Sequence, residues 1–76
     1  MKTYEIKGHT VERVESPESV DYFTEYDLYI EGEYVGNLSK YSEETSWRAW
    51  NEAGELLGER KEIKSAVGLV VRDWEK

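Results

Sequence analysis

Tyr22-Phe23-Thr24-Glu25-Tyr26-Asp27-Leu28-Tyr29-Ile30-Glu31-Gly32-Glu33-Tyr34-Val35-Gly36-Asn37-Leu38 is the stretch whose reading decides the fold of this chain. Two runs rich in Tyr, Ile, Val and Leu flank Glu31-Gly32, and a two-residue loop whose Gly takes positive φ is a strong local hairpin signal. Glu-Gly is a weaker form of Asn-Gly or Asp-Gly, because Glu enters the left-handed region less readily. Pairing Ile30 with Glu33, Tyr29 with Tyr34 and Leu28 with Val35 sorts the side chains by the strand period of two. Tyr22, Tyr26, Leu28, Ile30 and Val35 then form a core face. Asp21, Phe23, Glu25, Asp27, Tyr29 and Tyr34 form the opposite face, which is acidic and aromatic.

Upstream of this hairpin, Tyr4, Ile6, Val11 and Val14 read as one opening strand whose alternation slips at Gly8, as a bulge or bend there would make it. Ser16-Pro17-Glu18-Ser19 is a turn, since Pro presets φ and the serines bond the local backbone. Downstream, Gly36-Asn37 marks a further bulge, and polar Leu38 to Ser46 reads as a loop or tight reversal. Thr45 to Gly58 admits two readings. A helix capped by Ser42 would align Trp47, Trp50 and Leu57, but Gly54 would interrupt it, and a further strand makes the sheet wide enough to stand. The strand is therefore expected, with Trp47 and Ala49 on one side and Arg48 and Trp50 on the other. From Glu59 to Trp74 the apolar residues Ile63, Ala66, Val67, Val70 and Trp74 recur at helical spacing. The expected architecture is a single α+β domain spanning residues 1–76. It has two layers, a four-stranded antiparallel sheet (β-β-β-β-α) and one C-terminal helix packed on one face. Leu28, Ile30, Trp47, Val67, Val70 and Trp74 are its expected core.

Composition excludes much of chemistry. With 76 residues and no cysteine, the chain has neither disulfides nor thiolate zinc sites, and His9 is its one histidine. No Gly-x-Ser-x-Gly elbow or other special turn surrounds a serine, the glycines follow no phosphate-binding pattern, and no D-x-D-x-D-G calcium loop occurs. Catalytic, metal and cofactor residues are therefore none, and the chain is not expected to be an enzyme. The first residues hold no apolar run of signal-peptide length and Ala66 to Val71 is too short to span a bilayer, so a soluble cytoplasmic protein without membrane contact is expected.

Charge points toward a partner. The net charge is −7, with thirteen acids against five bases in residues 1–56 and four against five in residues 57–76. Between Glu18 and Glu33 lie six acids and no base, which argues against direct nucleic-acid binding there and for a protein with a basic surface. Along a strand rising roughly 3.3 Å per residue, Glu25 and Asp27 repeat about every 6.6 Å, near two steps of the roughly 3.4 Å rise between phosphates on one DNA strand. The expected protein-binding residues are Asp21, Phe23, Glu25, Asp27, Tyr29, Glu31, Glu33 and Tyr34, the aromatic ones serving as anchors. Size, acidity and the lack of catalytic groups resemble, as a class, small phage-encoded inhibitors such as anti-CRISPR and anti-restriction proteins. The resemblance implies a nucleic-acid mimic that blocks a basic groove. The competing expectation is a homodimer formed through the aromatic face or an edge strand.

Overall fold

Turn chemistry sets the architecture of the computed structural model, which describes residues 2–76. Lys7-Gly8 (φ 51° and 83°) and Glu31-Gly32 (φ 52° and 80°) each put two successive residues in the left-handed region, the geometry of a type I′ loop. These loops close β1 (Lys2–Ile6) onto β2 (His9–Glu15) and β3 (Phe23–Ile30) onto β4 (Glu33–Tyr41). A third hairpin joins β5 (Trp47–Asn51) to β6 (Leu56–Arg60). There Asn51 Oδ1 accepts the N–H groups of Ala53 and Glu55, and Gly54 supplies a φ of 83°. The turn expected at Ser16-Pro17-Glu18-Ser19 links β2 to β3. Ser16 Oγ accepts the Glu18 N–H, while Ser19 Oγ accepts from the Glu25 N–H and donates to the Glu25 carbonyl. Six strands in the order β1-β2-β3-β4-β5-β6 make one antiparallel sheet, and α1 (Ile63–Trp74) follows.

The α+β class with one C-terminal helix fits, but the four-stranded sheet is corrected to six strands. The slip at Gly8 is a full reversal rather than a bulge, so Tyr4 and Val11 are cross-strand partners on one face. Lys7 takes the left-handed position that Asn or Asp would have signalled. Leu56–Arg60, which overlaps the expected helix at Glu59 and Arg60, is a strand paired with β5, and the helix begins at Ile63 instead of Glu59. The apolar stripe indeed starts only at Ile63. The expected loop from Leu38 is strand through Tyr41, with buried Leu38 and Ser39 alternating between the two faces. Trp47–Asn51 is a strand, as Gly54 implied.

Within the central hairpin Ile30 pairs with Glu33 and Tyr29 with Tyr34, but Leu28 pairs with Gly36, not Val35. A bulge at Val35-Gly36 absorbs the extra residue. Tyr22, expected on the core face, lies in the turn before β3 and is 64% exposed.

The helix covers the sheet face carrying Tyr4, Val11, Leu28, Ile30, Val35, Leu38 and Ala49, against which Ala66, Val67, Val70 and Val71 are buried. Small residues let it approach. A Cβ at Gly36 would collide with the Trp50 carbonyl oxygen and lie 2.8 Å from Val70 Cγ1, and one at Gly58 would lie 3.2 Å from Leu69 Cδ1. At its C-terminal end, Trp74 meets the His9 ring edge-on at 5.0 Å, and Glu75 Oε2 lies 3.0 Å from His9 Nε2. Trp47 and Trp74, expected in the core, are half-buried at its rim. Trp47 stacks on Tyr26 at 5.5 Å, with Arg13 lying 4.1 Å over Tyr26 and Lys40 5.5 Å over Trp47. The stems of these two cations shield aromatic surface lying beside the buried core.

Candidate functional site

Strand alternation places one side chain in two on the face away from the helix. Register aligns them in rows: Glu12 with Tyr29 and Tyr34; Val14 with Asp27, Asn37, Trp50 and Leu56; Glu25 with Ser39, Arg48 and Glu59; Phe23 with Tyr41. Of the expected binding residues, Phe23, Glu25, Asp27, Tyr29 and Tyr34 therefore share this face. The other three do not join them. Asp21 sits exposed in the turn before β3, Glu31 in the hairpin loop, and Glu33 pairs with Ile30 on the helix side.

Electrostatics on this face are unbalanced. Burial, then the neighbouring Asp27 and Glu18 charges, raises the Glu25 pKa, and burial followed by Glu18 raises that of Asp27. Tyr34 is raised as well, by burial first and then by Asp27 and Glu25. Among the described residues, Arg48 is the one base that the register puts on this face. It is already committed: both of its terminal nitrogens donate to Glu44, which also accepts the Tyr41 N–H at 2.8 Å. That backbone bond, ahead of the Arg48 hydrogen bond, holds the Glu44 carboxyl below its usual range. The guanidinium thus staples the β4–β5 turn and leaves Glu25 and Asp27 without a cation.

Beside the two carboxylates runs an open groove of about 470 Å³. Phe23, Tyr41, Trp50 and Leu56 give it apolar walls, and Glu25, Asn37, Ser39 and Arg48 supply its polar groups. Phe23 and Tyr41 pack at 4.9 Å, and Trp50 Nε1–H donates to Ser39 Oγ at 3.0 Å. Asn37 Nδ2 donates to Glu25 Oε2 at 2.8 Å, whereas Asn37 Oδ1 is buried with no partner in the chain. Sequence reading had placed Trp50 on this face but missed Tyr41, Asn37, Ser39 and Glu12. Reading Leu38 onward as loop hides Tyr41 and Ser39, the register without the Val35 insertion puts Asn37 on the wrong face, and merging β1 with β2 hides Glu12; the usable signal is the alternation of Leu38, Ser39, Lys40 and Tyr41.

Among the described residues no three His, Asp or Glu side chains converge as a metal site requires, and no helix is long and apolar enough to cross a membrane. The chain matches no family model, no curated protein and no solved structure.

Proposed function

We propose that this chain is a non-catalytic binding domain whose outer sheet face enters a basic groove of a partner protein and takes the place of a nucleic-acid backbone there. One observation carries the reading: Glu25 and Asp27 are crowded and partly desolvated on a face whose single arginine is spent on Glu44. A cationic partner relieves that crowding, which makes the face complementary to basic protein and repellent to nucleic acid. Tyr29 and Tyr34, packed at 5.8 Å, lie beside the carboxylates as short-range anchors. The role is that of a small inhibitor of a nucleic-acid-binding protein, of the kind phages encode, acting in the cytoplasm. The test is capture of partners on the immobilised chain at low and high salt, with DNA as competitor. Wild type should capture a protein in a salt-sensitive, DNA-displaceable manner, and the Glu25→Lys/Asp27→Lys variant should not. A complex indifferent to salt, to DNA and to the double reversal would remove the mimicry.

A second reading has its own support. Tyr41 and Leu56 are 43% and 50% exposed on the same face, enough apolar surface to seed self-association. Light scattering separates the two, because only a homodimer loses half its mass on Tyr41→Ala or Leu56→Ala.

A further inference from the structure

The groove beside Glu25 has an unfilled specificity of its own. Three of its nitrogen donors are directed within the chain: the Trp50 indole N–H to Ser39, the Arg48 guanidinium to Glu44 and the Asn37 amide to Glu25. Two of its acceptors are left open. Glu25 Oε1 takes no hydrogen bond from any described residue, and Asn37 Oδ1 has none either. Glu25 lines the groove with Oε1 open, so a charged donor brought from outside finds an acceptor there. The walls add a second constraint. Three aromatic rings, Phe23, Tyr41 and Trp50, line a groove too open to enclose a whole ligand but suited to a flat group laid against a ring.

From these features we infer that the groove is a receptor for an arginine side chain of the partner, its guanidinium stacked on Trp50 or Tyr41 and its N–H fork directed at the Glu25 carboxylate. Arginine meets each requirement at once: a permanent charge for Glu25, several donors in a plane, and a delocalised face that stacks on aromatics. Lysine has the charge and the donors but not the plane. Nucleobases would stack equally well, but their phosphates would meet Glu25 and Asp27. The inference rests on the basic-partner reading of the same face and adds the residue that the partner presents.

A capped Gly-Arg-Gly peptide is the probe, titrated into the isotopically labelled whole chain while the Trp50 indole N–H and the Ser39 and Tyr41 amides are followed by NMR. Saturable shifts confined to the groove are expected. The matching lysine peptide should bind several-fold more weakly and the uncharged citrulline peptide should not saturate. Glu25→Gln should weaken the arginine peptide by roughly tenfold, the value of one charge-assisted hydrogen bond. Glu5→Gln, which neutralises a carboxylate of the same sheet face on β1, should change it less than about twofold. If Glu5→Gln and Glu25→Gln weaken binding alike and the shifts spread over the whole acidic face, the arginine pocket is overturned while the acidic docking surface stands. If citrulline binds as well as arginine, the charge argument fails and the basic-partner reading goes with it. Dispersed spectra of each variant guard against misreading an unfolded protein.

Discussion

Two glycines that look alike in the sequence play opposite parts. Gly36 sits at the β4 bulge with φ 155°, where an added Cβ runs into the Trp50 backbone and against Val70. Gly68 lies in the helix with open space around it. Gly36→Ala should therefore destabilise by about 1–3 kcal/mol or more, since backbone rather than a flexible side chain must give way. Gly68→Ala should stabilise by about 0.5–1 kcal/mol, because the helix gains a better former and loses unfolded-state entropy. Urea denaturation of both variants checks this, and equal effects of one sign would contradict the packing described. A similar contrast tests the core face. Leu28→Ala should cost about 2–5 kcal/mol, whereas Tyr22→Ala, outside the sheet, should stay within about 0.5 kcal/mol.

The six strands were not equally legible. The central hairpin could be read down to its Tyr29–Tyr34 pair, because alternation on both sides of Glu31-Gly32 left one register that buries Leu28 and Ile30. Lys7-Gly8 encodes the same loop, yet its arms are short and Lys gives no turn signal, so the chain looked like one bent strand. β6 was obscured by the helix pattern that follows it, and Gly58, the residue that makes room for Leu69, is neutral in any periodicity count. Half of the candidate site was visible for the same reason. Positions on β3 and at Tyr34 follow from the hairpin alone, while Asn37 requires the bulge at Val35-Gly36 and Ser39 and Tyr41 require knowing that β4 continues. The Asn51 turn makes an element-scale prediction: Asn51 side-chain bonds to Ala53 and Glu55 hold the β5–β6 loop. Asn51→Ala should lower hydrogen-exchange protection in β5 and β6 selectively, leaving β1–β4 nearly unchanged. Uniform loss across the sheet would show that this hairpin is not a separate unit.

Across the whole molecule the acidic face should appear in the pH profile of stability. Glu25 and Asp27 have raised pKa values, so the folded protein binds protons there more readily than the unfolded chain. Stability therefore falls as pH rises from the usual carboxylate range through their folded values, and mild acidification from neutrality restores it. Glu44 works in the other direction. Its lowered pKa contributes stability above the usual carboxylate range, and that is lost as pH falls through its folded value. Melting temperature should accordingly pass through a maximum at mildly acidic pH. Glu25→Gln/Asp27→Asn should flatten the high-pH side and Glu44→Gln the low-pH side; a wild-type profile climbing steadily toward neutral pH would contradict the assignment. The meander also has a kinetic side. Every strand pairs with its neighbour in sequence, so each hairpin closes a short loop at small entropic cost and the sheet can zip up quickly. The clasp of Glu75 on His9, spanning 66 residues, joins the Trp74 ring contact and the Lys7–Glu75 pair in tying the end of the helix back to the first hairpin. A contact made that late in assembly governs escape from the native state rather than arrival at it, so His9→Ala should quicken unfolding in a stopped-flow chevron and leave the refolding limb where it was.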